Sequence, residues 1–570
     1  MQNVFYLMLR RMRLPLIMLI AVYAVAVVGL TLIPGQDDQG QPWRMDFFHA
    51  IYFVSFLGST IGFGEIPYPF TNAQRMWTTF IIYSAVVAWL YAIGSILTLI
   101  QDQGFRRVLA YTSFARKVRR INEPFYIICG FGDASSLLVR ELVERGIHCV
   151  VIEKDQDKIL GLAVEDLPDY VPGLCEDATV SEHLVAAGLD HPMCRGVIAL
   201  TGDDHANLTI AISSKLLAPE VQVICQSDTK DFAENMASFG TDHVVDVFEI
   251  FASRFAMMFH SPSMYLVYEW MTSDMHSPLA DFTRPPTGTW LLCGYGRFGK
   301  AVRKYITPEG VETRIIEAEP DLTDAPTDTI TGRGTEAHTL ETAGIHEAQG
   351  LIAGTDNDAN NLSIIVTARQ LNPKLFTAAR QNLQNKSDIY KAAPIDIIMQ
   401  PGTIIAKHIL GIIQAPLLDD FLRLTHHQNE EWANVLVSRV AGVVEDVAPD
   451  VWDIEITPLA APAVFDCLIR GETITLEQLC TDPQDLTQQL SCVPLLIKRD
   501  KEYLLLPEIH EPLHGCDSIL FCGLGKAHRK IMRLMHDHQT VRYIRTGVDM
   551  PGGIFWQWVT GNKSELRSAD

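Results

Sequence analysis

Ser59-Thr60-Ile61-Gly62-Phe63-Gly64-Glu65 lies between two strongly apolar runs, and the reading of this stretch decides the fold of the N-terminal part. Glycine reaches positive φ without a Cβ penalty, so Gly62 and Gly64 allow successive carbonyls to turn toward one side of the chain. A strip of inward-facing carbonyl oxygens can replace the hydration shell of a cation. Thr60 adds a hydroxyl oxygen at the mouth of such a strip. An ordinary glycine turn between helices carries the same letters, and the flanks separate the two readings.

Outward from the glycines, residues 14–33 and 76–100 are apolar stretches long enough to cross a bilayer. The first follows Arg10, Arg11 and Arg13, as the apolar core of a signal peptide would. It exceeds the usual length of such a core, and no small-residue cleavage site follows, so a retained helix is expected. Residues 46–57 are also apolar but too short to span, which suits a re-entrant helix with Asp46 at its positive end. Basic residues cluster before the first span and after the second: Arg106, Arg107, Arg116, Lys117, Arg119 and Arg120. Only Arg44 and Arg75 lie between the spans. Both termini are therefore expected in the cytoplasm, with the glycine stretch facing outward, in a multi-pass protein of the plasma or inner membrane.

With those flanks, residues 60–64 (Thr60, Ile61, Gly62, Phe63, Gly64) resemble the selectivity filter of potassium channels, commonly T-V-G-Y-G-D. The resemblance implies potassium ions in the filter and four identical chains around one axis, since one loop cannot encircle an ion. Phe63 stands where the family usually has Tyr, and Glu65 where it has Asp. The short helix lacks the tryptophans often found there. These departures bear more on selectivity over sodium than on conduction. Gly94, in the second span, suits either a hinge or close helix packing.

The chain of 570 residues is too long for one core and carries a net charge of −22. That charge argues against nucleic acid as a partner. All 11 cysteines fall at or after Cys129 without a C-x-x-C pair, so no metal site is expected and the bulk of the chain reads as reduced.

Beyond the basic segment 105–121 the pattern becomes alternating strands and helices. Phe125–Cys129 reads as a buried strand and leads into Gly130-Phe131-Gly132-Asp133-Ala134-Ser135, with Ser135 in the place of a third glycine. A second strand then ends at Glu153. The unit recurs: Trp290–Cys293 leads into Gly294-Tyr295-Gly296-Arg297-Phe298-Gly299, and the matching acid is Glu317. Such turns bring backbone amides to a pyrophosphate at a helix N-terminus, while the acid can hold ribose hydroxyls. A downstream block is shared too, ending on Asn207 in one copy and Asn361 in the other. Two copies with matching strands and acids point to paired Rossmann-like domains.

The whole chain resembles the prokaryotic two-span potassium channels with tandem RCK domains, regulators of potassium conductance also called KTN or TrkA-N domains. The resemblance implies an α-helical two-span pore domain over 1–104, a linker over 105–121, and two α/β Rossmann-like RCK domains. These run over 122–284 and 288–570, the second with a C-terminal lobe from about 412. It implies a tetrameric channel gated by NAD or an ADP-like nucleotide as a regulatory ligand. The binding residues would be Gly130, Gly132, Asp133, Ser135 and Glu153 in the first copy. In the second they would be Gly294, Gly296, Arg297, Gly299, Glu317 and Arg380. The copies differ, since Asp133 occupies the position of Arg297, and Cys225-Gln226 that of Ala379-Arg380. No catalytic constellation stands out, and an enzyme is not expected. The alternative is a membrane-anchored NAD-binding regulator or dehydrogenase without ion conduction.

Overall fold

Two helices of 31 and 30 residues, Gln2–Leu32 and Asn72–Gln101, flank a twelve-residue helix, Phe47–Gly58, in the computed structural model. At 1.5 Å per residue the long helices exceed the hydrocarbon thickness of a bilayer and the short one does not reach across it. The structure describes residues 2–62, 66–273, 277, 284–425, 428–444 and 447–548. It divides into two compact units, Met1–Asn122 with Ala186–Gly188, and Glu123–Val185 with Leu189–Asp570.

In the first unit, Ala26, Leu30, Ala50, Val54, Ile81 and Ala85 form a small core between the three helices. Gly29 makes room for an aromatic ring, because a Cβ there would lie 2.1 Å from Trp77, whose Nε1 donates to the Ala26 carbonyl at 3.3 Å. Thr71 caps the second span in a reciprocal arrangement with Gln74. Asp46 stands at the N-cap of the short helix, but its carboxylate pairs with His49 rather than with the helix amides. The basic segment after the second span is itself a helix, Gln103–Val118, begun by Asp102, which accepts from the Phe105 amide at 2.9 Å.

The second unit holds two parallel sheets of six strands with the same order. In the first, Gly173–Cys175, His148–Glu153, Phe125–Cys129, Cys194–Ala199, Gln222–Gln226 and His243–Val245 lie side by side. In the second, the order is Ile330–Thr331, Glu312–Glu317, Thr289–Cys293, Gly350–Ala353, Phe376–Arg380 and Ile397–Met399. Each sheet reverses strand order beside its first strand, the place where doubly wound folds leave a crevice for ligands.

The lobes exchange helices. Val247–His260, which leaves the first sheet, packs on Arg297–Ile306 of the second, and Pro401–Gln414, which leaves the second, packs on Asp133–Glu144 of the first. One apolar core containing Leu138, Phe255, Trp290, Phe298 and Ile409 therefore belongs to both lobes. Pro401–Gln414 and the next helix, Pro416–Thr425, are together apolar enough to suggest a broken span, yet they meet at 112° and bury Ile405, Ile409 and Phe421 within the protein. The chain continues into a four-stranded antiparallel sheet of Asp450–Glu455, Ser518–Gly523, Cys492–Arg499 and Glu502–Leu505.

Candidate functional site

The short apolar helix ends at Gly58 and turns at once into the glycine stretch. The Thr60 amide donates to the Leu57 carbonyl at 3.1 Å, and the amides of Ile61 and Gly62 both donate to the Phe56 carbonyl, at 3.1 and 3.4 Å. Thr60 has φ of 60° and Gly62 of 65°. The glycine is at ease there, whereas the threonine stores strain of a kind that gathers at functional sites. A Cβ built on Gly62 would meet nothing within 4 Å, so one chain leaves that side of the turn open. Phe63 and Gly64 lie outside the described residues. Gly94 has no neighbour within 4 Å of a built Cβ, so close packing within one chain does not account for it.

In the two Rossmann lobes the strand-end acids brace the glycine turns. Glu153 Oε2 accepts from the Phe131 amide at 2.6 Å and Oε1 from the Asp155 amide at 2.9 Å. Glu317 repeats this with the amides of Tyr295 at 2.6 Å and Glu319 at 3.2 Å. Gly130 and Gly294 take φ of 92° and 97°, and each lies close under the backbone at the end of the fourth strand. Gly132 and Gly296 face open space, which leaves a cradle at each helix N-terminus that a side chain would fill. These features fit a pyrophosphate over the turn with a ribose beside the acid. Around the first turn, Phe131, Gly132, Ser136, Lys158 and Glu165 line a cavity of about 500 Å³.

Three of the expected ligand residues are engaged by protein groups. Arg297 pairs with Asp228 of the first lobe at 2.8 Å, and Asp133 accepts from the Gln384 amide of the second lobe at 3.1 Å. The residue after the second glycine thus contacts the other lobe in both copies. Arg380 is mostly buried, bonds Asp356 at 2.7 Å and lies over the Phe248 ring. Burial lowers its pKa, against the opposing pull of Asp356. Ser135 is buried with its Oγ unpartnered, while Gly299 at the same position has no room, since a Cβ would lie 2.2 Å from the Gly294 oxygen.

Asn207 and Asn361 are both buried. Each accepts from the amide and hydroxyl of a threonine, Thr201 or Thr355, and donates to the end of the fifth strand, at Gln226 or Arg380. Asp228 and Gln384 were not singled out from sequence. Both follow the fifth strand of their lobe, and no local pattern marks such a residue as a contact for a distant turn.

The TrkA-N domain profile matches residues 126–247 and 290–401, and an ion-channel profile matches 17–102. Potassium channel protein 1 of Methanocaldococcus jannaschii is 26% identical over 200 residues, covering 35% of this chain and 58% of that protein. A Trk system potassium uptake protein TrkA homolog of Methanothermobacter thermautotrophicus is 30% identical over 167 residues, 28% of this chain and 76% of the relative. The chain spans 58%, 34% and 42% of the first three curated relatives it matches. Among solved structures, the GsuK channel bound to NAD aligns over 94% of this chain and all of that one, with 16% identity and a TM-score of 0.47. With a two-span ion-channel segment followed by two TrkA-N domains, the chain belongs to the prokaryotic potassium channels that carry tandem RCK domains.

Proposed function

We propose that four copies of this chain surround one potassium-conducting pore whose opening is set by NAD or an ADP-like nucleotide in the Rossmann clefts. The observation that carries the pore reading is the turn at Thr60–Gly62, with positive φ at both ends, directly after a helix too short to span. Thr60, Ile61, Gly62, Phe63 and Gly64 supply the ion sites in this reading. Exposed Phe47, Phe48 and Ile61 on one chain suit burial against its copies. The first cradle is Gly130, Gly132 and Ser135 with Glu153. The second is Gly294, Gly296 and Gly299 with Glu317.

The nucleotide acts by binding, and the chain is not an enzyme in this reading. Carboxylates at Glu153 and Glu317 disfavour a 2′-phosphate, so NAD or ADP is preferred to NADP. Moving a closed-to-open ratio from 1:99 to 99:1 takes about 5.5 kcal/mol of differential binding. Shared over the eight cradles of four chains this is about 0.7 kcal/mol each, or roughly a threefold preference for the open form. The pore domain runs over 1–104 and the two RCK domains over 122–284 and 288–570, and the segment 105–121 carries the change to the span with Gly94. Both termini are placed in the cytoplasm.

The test is potassium and sodium flux through reconstituted full-length protein, with NAD, ADP or NADP titrated on the side of the soluble domains. Potassium-selective flux that responds to NAD or ADP supports the proposal. Absent flux in assembled protein overturns it, and selective flux indifferent to every nucleotide overturns the sensor half.

A further inference from the structure

The last residue of the re-entrant helix rests on a hydrogen-bonded pair contributed by the two spans. Trp89 Nε1 donates to Tyr23 Oη at 2.9 Å. Gly58 lies directly against that bond, and a Cβ there would fall 2.2 Å from Tyr23 Oη and 3.1 Å from Trp89 Nε1. Only a residue without a side chain lets the helix end settle this closely. Thr60 follows two residues later, and the amides of Thr60, Ile61 and Gly62 are all bonded to carbonyls of the last turn of the same helix. The pair fixes the helix end, and the helix end fixes the start of the carbonyl strip.

We propose that Tyr23 and Trp89 are a positioning pair for the ion sites, setting discrimination between potassium and sodium through Gly58. The inference rests on the channel reading above. The short helix carries no tryptophan, Phe47-Phe48-His49-Ala50-Ile51-Tyr52-Phe53-Val54-Ser55-Phe56-Leu57-Gly58 being its whole sequence. Its bracing comes instead from residues on the flanking helices, 66 positions apart in the chain. Ion sites made of carbonyls discriminate through the size of the cage or the number and strength of its dipoles. Either way, the helix end that carries them must hold its position to within about 0.5 Å.

The experiment measures the potassium-to-sodium permeability ratio from reversal potentials of full-length, assembled protein in planar bilayers. Tyr23→Phe and Trp89→Phe each keep a ring and delete the hydrogen bond. Each is expected to lower the ratio by about fivefold, the factor that about 1 kcal/mol of lost bond is worth. The double variant should fall no further than the single ones, because both remove the same bond. Gly58→Ala should also lower the ratio, and adding Tyr23→Phe should restore part of it, since the atom 2.2 Å away is then gone and the next lies at 3.0 Å. A purely structural role would change the yield of tetramer and leave the ratio of the assembled fraction unmoved. Wild-type protein that is potassium-selective, with the ratio unchanged in both ring-conserving variants, overturns this inference alone. Wild-type protein that passes neither ion overturns the channel reading and this inference with it.

Discussion

Arg297 Nη1 lies 2.8 Å from Asp228 Oδ2 and also donates to the Asp228 carbonyl at 3.3 Å, so the glycine turn of one lobe is tied to the strand-end loop of the other. Asp133 makes the reciprocal contact with the Gln384 amide. The contact places the rim of each cleft at the seam between the lobes.

That tie is half exposed on the arginine side, 52% against 26% for the aspartate. Asp228→Ala and Arg297→Ala are therefore each expected to cost under about 1 kcal/mol of stability, with the double variant no worse than the single ones. Thermal unfolding of the detergent-solubilised full chain measures this. Losses that simply add would show that the two side chains act independently.

Glu153→Gln should loosen the first glycine turn. An amide in that place offers one acceptor where the carboxylate offers two, and it turns an N–H toward either the Phe131 or the Asp155 amide. An unsatisfied buried group costs about 1–3 kcal/mol. In the proposed reading, NAD affinity at that cleft then falls by about tenfold or more. Glu317→Gln does the same in the second lobe. Calorimetric titration of each variant measures the loss, and unchanged affinity in both would remove the two acids from the sites.

The two copies respond oppositely at the third position of the turn. Gly299→Ala drives a Cβ to 2.2 Å from a backbone oxygen, which no rotamer change relieves. Overpacking of this kind costs about 1–3 kcal/mol. Ser135→Ala deletes a buried hydroxyl that has no partner and should leave stability unchanged or raised. Comparable destabilisation in both variants would contradict the difference between the turns.

Much of this was legible from local pattern. The glycine turns, the strands before them and the strand-end acids follow from periodicity and turn chemistry, which act over a few residues. The length of the apolar runs fixed which helices could span. What the pattern could not give was contact between distant segments. Arg297 was expected beside the nucleotide, and nothing near it in sequence names its contact with Asp228. The Tyr23–Trp89 pair was invisible for the same reason. The segment read as a linker is helical over most of its length, since Asp102 supplies a cap and no proline or glycine interrupts 105–118.

Gly62→Ala tests the ion turn itself. The φ of 65° strains any residue with a Cβ by about 1–2 kcal/mol, although there is space for the atom. The expected outcome is loss of selective potassium flux in protein that still assembles, because the strain is local to the turn. Full selective flux in this variant would detach Gly62 from the ion path.

The pH dependence of stability should carry the mark of Asp453. Its Oδ2 accepts from the Leu417 amide at 2.9 Å, in the first turn of the helix that follows the 112° bend, while its Oδ1 is buried without a partner. Burial pushes its pKa up to about 7, reinforced by Glu455 and Asp420 and opposed by the Leu417 amide. Between the unfolded value near 3.9 and about 7, the folded chain holds a proton that the unfolded chain has released. Stability from this group is therefore greatest at low pH and falls as pH rises through that window. From pH 6 to 8 the loss is about 1.4 kcal/mol. Asp453→Asn keeps an oxygen for the Leu417 amide and has nothing to titrate. Its unfolding temperature should fall less than that of the wild type between pH 6 and 8, so that the variant gains on the wild type as the solution becomes basic. Parallel curves for the two proteins would show that Asp453 ionises at no cost in the folded chain.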